Sequence, residues 1–180
     1  MTALGMLDDL VQHMGWADAR VWSCVLDVPE LASDRTIHER MYHLHLVQRG
    51  FLLLWLQPTT SLPEPPQFSD AVALASWGHE YHRELAEYLT SSARSAPDSP
   101  VNVPWATHVT EQFGRSAEPT TFGETMLQVM SHSTHHRGQV NTRIRELGAE
   151  PPLIDFIVWL WLGRPGAEWP AAAGRLGQAR

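Results

Sequence analysis

The sequence predicts an all-α protein: a four-helix bundle with a long third-to-fourth helix crossover and a short C-terminal helix. Three observations carry this. Four long stretches repeat apolar side chains every three or four positions, the period of a helix buried along one face. Strand-like alternation is confined to a short region around Val101. Proline falls between the periodic stretches and not inside them.

The first helix covers residues 4–28, with Leu7, Leu10, Val11, Met14, Ala17, Val21 and Val25 in register, and Pro29 stops it. The second opens on Thr36-Ile37-His38-Glu39, a capping-box pattern, and runs to Gln57 before Pro58. Residues 59–67, rich in proline and serine, read as a connecting loop. Asp70 caps a third helix that ends near Leu89, with Val72, Leu74, Trp77, Tyr81, Leu85 and Tyr88 on its apolar face. The pattern breaks over 91–119, where Val101, Val103, Trp105, His108 and Val109 suggest a short hairpin inside a long crossover. Thr121-Phe122-Gly123-Glu124 is a second capping box and opens a fourth helix. That helix ends near Leu147, with Gly148 placed as its C-cap and Pro151-Pro152 beyond. An apolar segment, 154–162, closes the bundle. The expected domain is therefore 1–163, with 164–180 as a loosely ordered C-terminal tail.

A chain of 180 residues suits one domain. The net charge of -7 argues against binding nucleic acid or anionic lipid, which both need a basic surface. A single cysteine, Cys24, excludes a disulfide scaffold and a thiolate-rich zinc site. It lies in an apolar helical stretch and reads as a buried, inert thiol. The N-terminus lacks the basic flank and apolar core of a signal peptide, and the longest apolar run is too short to span a bilayer. A cytoplasmic location is the expectation.

The segment His132-Ser133-Thr134-His135-His136-Arg137-Gly138-Gln139 carries most of the chemistry. His132 and His136 stand one helical turn apart, so both imidazoles can reach one ion without bending the backbone. Stepping by three and four places them with Val129 and Val140 on the buried stripe. Two buried imidazoles need partners for their nitrogens, and a metal supplies one. The second helix offers a third imidazole. His43 is chosen because Val47, Phe51 and Leu54 continue its face; His45, about 200° around the helix, is the fallback. His135 projects about 100° away and reads as a supporting or surface group.

Other chemistries lack their motifs: there is no nucleophile elbow and no phosphate-binding glycine loop. His79-Glu80-Tyr81-His82 has histidines three apart, so it is not a zinc-protease helix, and its side chains are expected in solvent. Between Glu124 and Glu146 the fourth helix has no carboxylate, which excludes a di-iron bundle.

Three segments together resemble the DinB family of metal-binding helical bundles. They are Gly15-Trp16-Ala17-Asp18, the run His43-Leu44-His45-Leu46-Val47-Gln48 with Arg49-Gly50-Phe51-Leu52, and His132-x-x-x-His136-Arg137-Gly138-Gln139 followed by Leu147-Gly148 and Pro151-Pro152. The resemblance implies a four-helix bundle of unusual connectivity, often dimeric, with a divalent metal on three histidines. By position these are His43, His132 and His136. Gln48 stands where relatives often carry an acidic residue, and Gln128 where some carry histidine.

Three neutral imidazoles leave open positions on a metal, as catalytic zinc sites do. Zinc is the first choice and nickel the second. The expected function is a divalent-metal-dependent enzyme, a thiol-dependent S-transferase or isomerase in the manner of some relatives. A low-molecular-weight thiol, a small-molecule substrate and a second copy of the chain are its expected partners. Gln48 or Gln139 is expected to orient a ligand imidazole. Arg137 reads as a holder of an anionic substrate or thiol carboxylate, or as a surface ion pair. Trp16 reads as pocket wall or core. The rival is a non-catalytic, stress-related binding or dimerisation bundle whose metal is structural or adventitious.

Overall fold

The computed structural model describes residues 3–57, 62–91 and 94–174. In chain order the helices are α1 (Ala3–Asp27), α2 (Pro29–Ala32), α3 (Arg35–Leu56), α4 (Ala71–Thr90), α5 (Thr107–Phe113), α6 (Phe122–Glu146), α7 (Phe156–Trp161) and α8 (Ala171–Gly174). Two strands, β1 (Pro100–Val101) and β2 (Thr120–Thr121), pair antiparallel. Among the described residues the protein is all-α apart from this pair.

Local chemistry sets the ends. Pro29 ends α1 and opens the one-turn α2, which the sequence reading missed. The cap of α3 is Asp34 and not Thr36: its carboxylate accepts from the Ile37 N–H at 2.9 Å and also pairs with Arg143 at 2.8 Å. An ionised acceptor outcompetes the hydroxyl, and it ties the start of α3 to the end of α6. Asp70 caps α4 through the Ala73 N–H at 2.8 Å. Thr121 and Glu124 form the capping box of α6 as expected. Gly148, at φ +82°, closes that helix in the left-handed conformation that favours glycine.

The four long helices run up, down, down, up. Trp22 meets His45 and Asp18 meets Gln48, so α1 is antiparallel to α3. Tyr42 meets Trp77 and Arg49 meets Glu84, so α3 and α4 are parallel. Asp34 meets Arg143 and Trp55 meets Thr125, so α6 is antiparallel to α3. The full-length crossover is therefore the 57–70 connection. A 22-residue helix is about 33 Å long, and the fourteen residues that separate α3 from α4 can span about 46 Å when extended. Part of the expected 59–67 loop, residues 59–61, lies outside the described residues. The 91–119 stretch was expected to be a long crossover; the link it belongs to runs over 91–121. It begins and ends at one end of the bundle, where Tyr88 packs on Phe122. Its excursion builds a flap in which β1 and β2 bracket a 3-10 turn (Pro104–Ala106) and α5. His108 and Val109 are thus helical, not part of a hairpin strand.

The core has two apolar halves. One gathers Trp22, Ile37, Met41, Leu44, Leu74, Val140 and Ile144; the other gathers Met14, Phe51, Trp55, Tyr81, Leu85, Phe122 and Val129. A layer of buried polar side chains lies between them. The 164–180 tail, expected to be loosely ordered, packs back as far as residue 174. Arg164 pairs with Asp9 at 3.2 Å, Trp169 stacks on His79, and Ala173 is buried against the bundle in α8, which packs on α4. Two apolar residues, Trp169 and Ala173, fill the groove beside α4, which composition alone did not reveal. Residues 175–180 of that tail lie outside the described residues. No described helix is long and apolar enough to cross a membrane.

Candidate metal centre

Antiparallel packing of α3 on α6 brings His43 opposite His132 and His136. His132 Nε2 lies 3.3 Å from His43 Nε2 and 3.1 Å from His136 Nε2. One nitrogen from each of the three rings falls within 4.8 Å of the others. Two imidazole nitrogens each about 2.05 Å from one tetrahedral ion stand about 3.3 Å apart, and about 2.9 Å apart at a right angle. The two spacings to His132 Nε2 fall in that range and all three donors lie within 4.8 Å of one another, so the donor set fits one divalent ion.

Electrostatics favour the neutral form that a metal requires at His132 and His136. Partial burial, then the neighbouring His136 and His43, pushes His132 down to about 4. Burial, then His43, lowers His136. Gln139 Oε1 accepts from His136 Nδ1 at 2.9 Å, while its amide nitrogen donates to His135 Nε2 at 2.8 Å. That pairing fixes the tautomer that leaves His136 Nε2 with a free lone pair. His132 Nδ1 is buried with no hydrogen-bond partner among the described residues, so no outer contact orients this ring as Gln139 orients His136.

The site lies at the edge of the core and not within it. The buried stripe of α6 passes through Val129, Ser133, Arg137 and Val140, one position from the two histidines. In α3 it passes through Leu44, His45, Gln48 and Phe51, while His43 is exposed. The expectation that the histidines share the apolar stripe is corrected. Polar side chains occupy the true stripe, and they disguised it.

Those polar side chains form one network. Arg137 Nη1 donates to Asp18 Oδ1 at 2.7 Å, and His82 Nε2 donates to Asp18 Oδ2 at 2.8 Å. Gln48 Nε2 donates to Asp18 Oδ2 at 2.8 Å and to Ser133 Oγ at 3.0 Å. His45 Nδ1 donates to Gln48 Oε1 at 2.7 Å and its Nε2 accepts from Trp22 Nε1 at 2.8 Å. Burial pushes His45 down to about 4, which matches its role as acceptor. Burial alone would raise Asp18; Arg137 and then His82 hold it well below the ordinary carboxylate range.

Four expectations change accordingly. Gln48 touches no ligand imidazole. Arg137 is 2% exposed and neutralises Asp18, so it is neither an anion holder nor a surface pair. His45, the fallback ligand, is fully enclosed. His82 is buried on Asp18, and His79 is stacked on Trp169, so neither faces open solvent. Trp16 packs with Ala17 and Trp159 on the far side of α1 as core. Of Gln48, Arg137, Gln139 and Trp16, Gln139 contacts the triad; His135, read as a supporting or surface group, packs edge to face on His136 at 5.0 Å. Cys24 is half-buried, and burial raises its thiol.

A cavity of about 1130 Å³ opens against His43 and His132, between α3, α6, the 62–65 segment and the flap. Phe51 and Trp105 meet edge to face in its wall, and Gln128 lines it one turn before His132. Sequence reading missed Trp105 as a wall because its neighbours in space come from three separate segments.

The family model described as the DinB family matches residues 6–167. The chain belongs to the DinB family. No curated protein matches the chain. In this DinB bundle the three segments of resemblance meet at two adjacent places: the triad at the surface and the polar layer behind it.

Proposed function

We propose that this DinB protein is a divalent-metal-dependent enzyme, with His43, His132 and His136 holding the ion, zinc first and nickel second. The observation that carries the reading is the convergence of three ring nitrogens beside an open cavity. A divalent ion held there supplies positive charge that favours the ionised form of a thiol or water. The chain supplies neutral ligands, the Gln139 contact that orients His136, and apolar walls that exclude water from one side of the site. We take the reaction as an S-transfer or isomerisation that uses a low-molecular-weight thiol. The cavity favours this over a non-catalytic bundle, because a purely structural metal needs no adjoining chamber.

Elemental analysis of protein purified without a histidine tag tests the metal. About one equivalent per chain is expected, lost in His136→Ala; less than about a tenth of an equivalent in both overturns it. Thiol consumption with small electrophiles tests catalysis. Equal turnover by metal-loaded and stripped protein favours the non-catalytic bundle instead.

A homodimer is proposed on separate grounds. Leu153, Ile157 and Trp161 stand exposed at four-residue spacing along α7 and its approach. Sedimentation of the purified chain is expected to show a dimer, and a monomer at tens of micromolar would remove the proposal.

A further inference from the structure

The flap over the cavity is firmly rooted at its base and thinly held beyond it. At the root β1 pairs with β2, the Phe122 N–H donates to the Ser99 carbonyl at 2.8 Å, and the Gly123 N–H donates to the Pro97 carbonyl at 2.8 Å. Val101, Val103 and Trp105 then pack down onto the core, with the Trp105 indole edge to face on Phe51 at 5.2 Å and lying over Gly50 of α3. Past Trp105 the packing thins out. No residue of α5 is buried, and the helix packs on the adjoining 3-10 turn of its own flap. Even there a hollow of about 400 Å³ lies between them, lined by Val103, Pro104, Thr107, Thr110 and Ala117. Gly114, at φ +65°, ends the helix, and residues 115–119 after it are all exposed.

The two sides of α5 differ. Thr107 and Thr110 line the hollow, whereas His108 and Val109 line the cavity. Phe113 follows Val109 by four residues and so shares the cavity side of the helix. Val109 is 38% exposed and Phe113 is 69% exposed. Two apolar side chains thus stand in water beside a chamber whose own wall is largely apolar, with Val47, Phe51, Leu62 and Trp105. The charged groups around this chamber carry both signs: Glu118 and Glu124 on the lining, exposed Arg115 two residues before Ala117, and the ion proposed on His43 and His132. Apolar contact, not charge, is what the wall offers throughout. An apolar molecule lodged there keeps its outer face in water, as Val109 and Phe113 do. Bringing the two together removes apolar surface from water on both, and α5 gives up little packing when it moves.

We propose that α5 is the movable outer wall of a binding site for a largely apolar small molecule, and that Val109 and Phe113 are specificity-determining residues that close on it. This rests on the proposed function in taking the cavity as the place of the substrate. Closure also removes water from the side of the triad that the cavity borders, where a thiol or water would react. The rooted strands fix where the flap swings, and the loosely packed helix is the part that travels.

The test uses the full chain at pH 7.5 with N-phenyl-1-naphthylamine, a neutral aromatic molecule whose emission rises in apolar surroundings. Saturable binding is expected, weakened at least about ten-fold by Phe113→Ser and about five-fold by Val109→Ser. Neither variant should shift the thermal midpoint of the ligand-free protein, since neither side chain is buried, and Phe113→Leu should restore most of the affinity. Trp105→Ala, checked for native far-UV dichroism, should also weaken binding, which locates the molecule in the cavity. Amide exchange over 107–113 should slow at least about ten-fold at saturation. Equal affinity in Phe113→Ser and the parent, or exchange over 107–113 unchanged at saturation, overturns the proposal. So does full-strength binding by Trp105→Ala, or no saturable binding up to the solubility limit. The molecule has no thiol or carboxylate to seat on an ion, so failure of the metal reading, seen by elemental analysis, is a separate result from failure of the closing wall.

Discussion

Arg137 Nη1 lies 2.7 Å from Asp18 Oδ1, with both side chains withdrawn from water at 2% and 0% exposure. This pair joins α1 to α6 across the layer that divides the two apolar halves of the core. Removing one partner leaves a buried charge without its counter-ion, a loss of about 3–5 kcal/mol. Arg137→Met and Asp18→Asn should each cost that much in urea denaturation. Arg137→Lys should not restore it, because the guanidinium also donates to Thr134 at 3.0 Å, a fork that an ammonium cannot match. A loss under about 1 kcal/mol would show that water reaches the pair.

The same layer sets a pH dependence. His45 is held at about 4 in the folded protein against an ordinary value of 6.5, so the unfolded chain binds more protons between those values. Stability is then full above pH 6.5 and falls as pH drops toward 4, by about 3 kcal/mol from this group. Asp18, also lowered, keeps its contribution above its unfolded value and loses it only in stronger acid. Urea midpoints in metal-free protein are expected to hold between pH 7.5 and 6.5 and to decline from there to pH 4.5. A flat profile, or an imidazole NMR titration showing His45 charged at pH 5.5, would contradict the enclosed neutral ring.

The long helices were legible because burial on one face writes a period into sequence. Asp70 and Thr121 were legible because a cap is a local event three residues wide. The three histidines were legible for a similar reason: two sit one turn apart, and the third leads the run His43-Leu44-His45-Leu46-Val47-Gln48 in the second helix. The partners of Gln48, Arg137 and His82 were not. Asp18 lies 119 residues from Arg137 and 64 from His82, and no spacing rule connects them. A polar residue on a buried stripe also looks like a break in the stripe, which is why the register of α3 and α6 was read slightly off. Trp105 and the flap were hidden because a cavity wall assembled from several segments leaves no periodic trace.

Two glycines give opposite predictions. A Cβ on Gly78 would collide with the His45 ring, which cannot retreat because both of its nitrogens are bonded and no space surrounds it. Gly78→Ala should cost about 1–3 kcal/mol through overpacking, despite the better helix propensity of alanine. A Cβ on Gly138 meets nothing within 4 Å. Gly138→Ala should therefore stabilise α6 by about 0.5–1 kcal/mol, although this glycine belongs to the His-Arg-Gly-Gln signature. Thermal unfolding of the two variants side by side checks both. Destabilisation by Gly138→Ala would mean that something outside the single chain approaches that position.

Gln48 and Gln139 were equal candidates to orient a ligand imidazole, and the structure separates them. Gln139 touches His136, whereas Gln48 is spent on Asp18, Ser133 and His45. Loss of an outer partner of a ligating imidazole typically lowers metal affinity ten- to a hundred-fold. Gln139→Ala should thus weaken zinc binding about ten-fold or more in a chelator competition, with little change in the stability of the metal-free fold, since Gln139 is only partly buried. Gln48→Ala should do the reverse. It strands the Nδ1–H of His45 inside the bundle, at about 1–3 kcal/mol for the unsatisfied group, takes one of three donors from Asp18, and leaves zinc affinity in the folded protein unchanged. If Gln139→Ala leaves zinc affinity intact, His136 is oriented by packing alone and the contact at 2.9 Å has no part in holding the ion.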